Sequence, residues 1–119
     1  YNTPDGSCIR DYIYVVDLAK AHVKALQRML HGECDEQVEV YNLGTGHGVS
    51  VFEIVNTFKE VTGVNLPYVV VGRREGDIEQ VWADATKANA KLNWKADTPL
   101  SDVLKSAWEW EKKLRNIAE

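Results

Sequence analysis

The chain has 119 residues, of which 45% are hydrophobic, 27% charged and 9% aromatic. That ordinary globular composition excludes a disordered or fibrous polypeptide and allows one domain or part of a larger one. Fourteen Lys and Arg against 18 Asp and Glu give a formal net charge of -4, so there is no overall basic footprint for nucleic acid or an anionic membrane.

In chain order, Tyr1 to Ser7 carries Pro4 followed by Asp5-Gly6 and reads as a loop. The β-branched and aromatic run Ile13, Tyr14, Val15 and Val16 predicts a short buried strand. Asp17 then stands as an N-cap before a helix that Gly32 stops. The apolar set of that helix, Leu18, Ala21, Val23, Ala25, Leu26, Met29 and Leu30, is too broad for one thin stripe, which predicts packing on more than one side.

Val38 to Leu43 predicts a second strand, and Gly44-Thr-Gly-His-Gly48 a loop. Ser50 and Glu53 have capping-box spacing and open a helix with an apolar face of Val51, Ile54, Val55, Phe58 and Val61, ended by Gly63. Tyr68 to Val71 predicts a third strand, after which Gly72 to Asp77 is polar. Asp84 caps a short helix through Leu92, and Thr98-Pro99 starts a last one, with Pro99 at the first helical position. Three strands interleaved with four helices make an α/β chain, and no apolar run approaches the roughly 20 residues of a membrane span. A chain that opens on Tyr1 with no leader reads as a piece of a larger enzyme.

Two cysteines, Cys8 and Cys34, make no disulfide framework and read as reduced thiols of a cytoplasmic protein. His22, His31 and His47 share no metal spacing, and no nucleophile–base arrangement stands out. Gly44-x-Gly-x-Gly48 lies between a strand and a helix, but Val49 breaks the dinucleotide-binding spacing, so the glycines read as a tight turn. Trp108 and Trp110 read as core and rim of the last helix; Trp82 and Trp94 pack the short helix or line a pocket.

Charge carries the informative chemistry. Arg73-Arg74 precede Gly76-Asp77, and guanidinium forks bind phosphate while a carboxylate accepts from sugar hydroxyls. The same residues also fit a solvated surface cluster. Arg10-Asp11 is likewise either a phosphate contact or a structural pair, in which Asp11 holds a helix terminus or Arg10 itself.

The segment Asp5-Gly-Ser-Cys-Ile-Arg-Asp-Tyr-Ile-Tyr-Val-Val-Asp-Leu-Ala19 resembles the R-D-Y-I-H-V-x-D-L-A motif of nucleotide-sugar epimerases and dehydratases, and Val40-Tyr-Asn-Leu-Gly-Thr-Gly46 is similar to their Y-N-L-G-x-G turn. With Arg73-Arg-Glu-Gly-Asp77, Trp82-Ala-Asp-Ala-Thr-Lys-Ala88 and Leu92-Asn-Trp94, the likeness narrows to the C-terminal part of the UDP-glucose 4-epimerase branch of the extended short-chain dehydrogenases/reductases. It implies that residues 1–119 form a substrate-binding lobe with short strands and about four helices, split from a Rossmann-type enzyme. Its missing N-terminal domain would bind NAD and supply the catalytic Tyr-x-x-x-Lys pair, so this part holds no catalytic residue and is inactive alone. In that family the sugar is oxidised transiently at C4 and reduced on the other face.

Residue by residue, the resemblance implies that Arg10 and Arg74 hold the diphosphate of UDP-glucose or UDP-galactose. Asp77 accepts from the uridine ribose, and Tyr12 shapes the same wall. Tyr14 departs from the usual His. Val81 stands where some relatives carry Tyr beside the sugar, which leaves room for the N-acetyl group of UDP-N-acetylhexosamines. A homodimeric parent is expected. A nucleotide-sugar dehydratase or decarboxylating reductase shares the R-D-Y motif, and a non-catalytic nucleotide-binding module is the remaining alternative.

Overall fold

The computed structural model describes residues 1–117. Six elements follow in the order β1 (Ile9–Arg10), α1 (Val15–Leu30), β2 (Val49–Ser50), α2 (Val51–Thr62), α3 (Thr86–Lys91) and α4 (Leu100–Arg115). The chain is α/β, but its strands are not the predicted ones. β1 and β2 pair antiparallel, Ile9 opposite Ser50 and Arg10 opposite Val49, and Ile9 also makes an isolated parallel bridge to Gln80.

The strand predicted at Ile13–Val16 is the start of α1 instead. Tyr14 is the N-cap, with extended φ -71° and ψ 134°, and its carbonyl accepts from the Leu18 amide at 3.0 Å. Asp17 therefore sits inside the first turn, where a carboxylate suits the free amides and the positive end of the helix dipole. It caps nothing. Its main-chain oxygen accepts from the Trp94 indole at 2.8 Å and its carboxylate from the Thr98 amide at 3.3 Å. These partners lie about 80 residues on, beyond the reach of local spacing.

Helix α1 also differs from the expectation of packing on several sides. Ala21 enters the core with Ala88, Leu92, Trp94 and Ala96, where small residues leave room for the Trp94 ring. Val16, Val23, Leu26, Met29 and Leu30 are exposed. The predicted strands at Val38–Leu43 and Tyr68–Val71 join no ladder among the described residues. A strand exists only where a partner takes its amides and carbonyls, and Val69, Val70 and Val71 lie open to solvent.

Helix α2 follows its sequence closely. The Ser50 hydroxyl accepts from the Glu53 amide while Glu53 accepts from the Ser50 amide, and Gly63 closes the helix in the left-handed conformation at φ 68°. α2 packs on α4 through the edge-to-face pair Phe58–Trp108, ring centroids 5.7 Å apart; Trp110 is exposed. Asp84 accepts from the Thr86 amide at 3.0 Å at the head of α3, where Ala85 occupies the N-cap position, and Pro99 precedes α4 as its N-cap. Both boundaries lie within a residue of expectation, as frayed helix ends allow. Among the described residues no helix is long and apolar enough to cross a membrane.

Candidate functional site

The bridge between Ile9 and Gln80 makes the site. The Ile9 amide donates to the Glu79 carbonyl at 2.9 Å and the Val81 amide to the Ile9 carbonyl at 3.1 Å. Successive residues of an extended segment point to opposite sides. With Ile9 held, Arg10 turns to the loop at 74–78. Its guanidinium donates to Asp77 Oδ1 at 2.8 Å, to the Ile78 carbonyl at 2.7 Å and to the Ile9 carbonyl at 2.8 Å.

Asp77 gathers cations. Arg74 reaches the same Oδ1 at 3.4 Å, and the Tyr1 hydroxyl donates to Oδ2 at 2.7 Å. The Arg73 guanidinium lies 4.9 Å from the centre of the Tyr1 ring and donates to the Asp77 carbonyl. The hydrogen bond from Tyr1, followed by that from Arg74, outweighs burial and holds the Asp77 carboxyl below its usual range. Arg74 is 83% exposed at its side chain against 25% for Arg10. Arg10 is thus the more enclosed of the two cations and Arg74 the more exposed.

Arg10, Arg74 and Asp77 are therefore brought together. Of these three only Arg10 lines the shallow hollow of about 650 Å³ that holds Val81, together with Asp11, Trp82 and Ala83. Tyr12 stands apart, in a smaller groove with Thr45, His47 and Leu100. Tyr1 belongs to the charge cluster although the sequence offers only a loop residue there, since its partner is 76 positions away. Cys8 is half-buried and Cys34 exposed, both as free thiols.

Asp11 holds the floor of the hollow and does not pair with Arg10. Its Oδ1 accepts from the Thr45 amide at 3.0 Å and the Thr45 hydroxyl at 2.6 Å; Oδ2 accepts from the Gly46 and Ala83 amides, each at 3.2 Å. Burial opposes its ionisation, but the bonds from Thr45, Ala83 and Gly46 prevail and keep its pKa below the ordinary value. The glycine segment is the tight turn that its spacing predicts. Gly46 adopts φ 82°, and a Cβ at Gly44 would collide with the Asp11 carboxylate and with Ala83.

These residues fall within a described family. A profile of the family described as GDP-mannose 4,6 dehydratase matches residues 2–107. The chain belongs to this family. Among relatives, the GDP-mannose 4,6 dehydratase family chain is 46% identical over 112 residues to a UDP-glucose 4-epimerase of Yersinia enterocolitica, covering 94% of this chain and 32% of that one.

Solved structures agree with the family assignment. One is a UDP-glucose 4-epimerase from Stenotrophomonas maltophila with bound NAD and formylated UDP-arabinopyranose, at TM-score 0.91 and 42% identity, over 99% of this chain and 34% of that one. Another is a Bifidobacterium longum UDP-glucose 4-epimerase in complex with NAD+ and UDP, at TM-score 0.86 and 45% identity, over 98% and 33%. The chain spans about a third of the length of each of these relatives.

Proposed function

We propose that residues 1–119 act as the C-terminal, UDP-sugar-gripping part of an NAD-dependent UDP-glucose 4-epimerase. The observation that carries this reading is the convergence of Arg10 and Arg74 on Asp77 beside an open hollow, in a chain whose structural relative was crystallised with UDP. Two guanidinium groups suit a diphosphate, and a carboxylate held ionised suits a ribose hydroxyl.

The residues present do not fit NAD. The glycine-rich turn before α2 spends the Thr45 and Gly46 amides on Asp11, so among the described residues it offers a pyrophosphate no cradle of those amides. The nicotinamide cofactor and the acid–base pair therefore belong to the rest of such an enzyme. In this reading the chain contributes orientation: Arg10, fixed by three hydrogen bonds, sets the phosphates, and Arg74 closes over them.

Val81, small and beside Trp82 in the hollow, is the residue that admits UDP-N-acetylhexosamines as well as UDP-glucose and UDP-galactose. The parent enzyme acts as a cytoplasmic homodimer.

The test is turnover of UDP-galactose by the full-length polypeptide that contains this chain, with product analysis. A 4-epimer supports the reading. A dehydrated or decarboxylated sugar reassigns the same grip to a neighbouring chemistry. UDP binding that Arg74→Ala leaves unchanged overturns the assignment of the site.

A further inference from the structure

Both oxygens of the Asp77 carboxylate are engaged, and the two close partners both come from the N-terminal stretch, 76 and 67 positions away. Arg10 takes Oδ1 at 2.8 Å and the Tyr1 hydroxyl takes Oδ2 at 2.7 Å. A carboxylate turns easily about its last torsion, so one donor leaves its plane free while two donors on opposite oxygens fix it. The Tyr1 ring is itself held, by the Arg73 guanidinium over its face, and the Arg73 side chain is anchored in turn by Glu79 at 3.5 Å.

We infer that Tyr1 is a positioning residue of the nucleotide site: its hydroxyl, on Asp77 Oδ2, fixes the carboxylate plane so that Oδ1 stays directed at Arg10 and Arg74. The inference rests on the reading of this cluster as the UDP site. Without the phenol, the carboxylate rotates and Arg10 loses the anion that aims it. The hydroxyl also donates more strongly to the ionised carboxylate than to the neutral acid, so its loss makes Asp77 easier to protonate.

The experiment is titration calorimetry of UDP against the full-length polypeptide and its Tyr1→Phe, Asp77→Asn and Tyr1→Phe/Asp77→Asn variants across pH. Phe keeps the ring beneath Arg73 and removes only the hydroxyl. Tyr1→Phe is expected to raise the dissociation constant on the order of fivefold, the effect of losing one hydrogen bond. Its acid limb of binding is expected at higher pH than in wild type; the titration of the nucleotide's own phosphate is common to both and cancels. In the Asp77→Asn background the same change is expected to add little, because the two residues act as one unit.

A Tyr1→Phe protein with wild-type affinity and acid limb, while Asp77→Asn binds weakly, overturns the inference and leaves the UDP reading standing. Unchanged binding in Asp77→Asn as well overturns both.

Discussion

Arg28 and Glu39 meet in a two-pronged ion pair, Nε to Oε2 at 2.8 Å and an amino nitrogen to Oε1 at 3.1 Å, with 9% of each side chain exposed. The Tyr41 hydroxyl also donates to Glu39, and Asp35 and Lys91 extend the network to the end of α3. The pair fastens the C-terminal end of α1 to the segment at 35–41, which joins no sheet among the described residues.

The hydrogen bond from Arg28 is the main reason that the Glu39 carboxyl stays far below its usual range, with that from Tyr41 next. Its contribution to stability is therefore present above the unfolded-state pKa and lost only as pH falls through the depressed folded value. Glu39→Gln leaves Arg28 partly unpaired and is expected to lower the melting midpoint at pH 7 by about 5 °C. Melts at decreasing pH check the sign: the gap between the two proteins should close in acid, and a constant gap would refute the ionic origin.

At Gly44 a methyl group has nowhere to go. Its Cβ would lie 2.6 Å from Ala83 Cβ and against Asp11 Oδ2, and Asp11 is pinned by four hydrogen bonds. Gly44→Ala is expected to cost about 1–3 kcal/mol, as overpacking does. Gly72→Ala is the control, with nothing within 4 Å of its Cβ. Urea unfolding of both variants should show a loss at position 44 alone.

Arg74 separates binding from folding. Its side chain is 83% exposed, so Arg74→Ala should leave the melting midpoint unchanged. UDP affinity should fall by about 1 kcal/mol, a fivefold rise in the dissociation constant, on the scale of a charge-assisted contact. Calorimetry beside a thermal melt reads both quantities from one preparation.

Val81→Tyr should narrow the hollow beside Trp82. Turnover of UDP-N-acetylhexosamines is expected to fall relative to UDP-hexoses by about tenfold or more, since a clash in a pocket discriminates strongly. Equal discrimination in the full-length wild type and variant would remove Val81 from the specificity argument.

Val23, Leu26, Met29 and Leu30 of α1 are exposed, and so are Val69 to Val71, so much apolar surface is uncovered. Chain 1–119 expressed by itself is expected to self-associate through it. Size-exclusion chromatography with light scattering should show mass rising with concentration, and Leu26→Lys with Leu30→Glu should return the chain to a monomer. A wild-type monomer at all concentrations refutes this.

Local chemistry was legible where it depends on neighbours in sequence. The Ser50–Glu53 box, the Gly63 stop, the tight turn at 44–48 and the two last helices all follow from residues within a few positions of one another. The arginines and the aspartate of the site were legible as chemistry too, because guanidinium and carboxylate groups carry their preferences with them.

Only the tertiary structure decided what those groups face. Val15 and Val16 suit a strand, but Asp17 is drawn into bonds with Trp94 and Thr98, and α1 begins at Val15. The strands at 38–43 and 68–71 have strand-forming residues and no partner among the described ones, since pairing is a property of two segments and sequence pattern of one. Arg10 meets Asp77, and Tyr1 joins them, because Ile9 bridges to Gln80 some 70 residues away. Residue type determined which charged groups this chain offers; the long-range contact at Ile9 determined which of them meet.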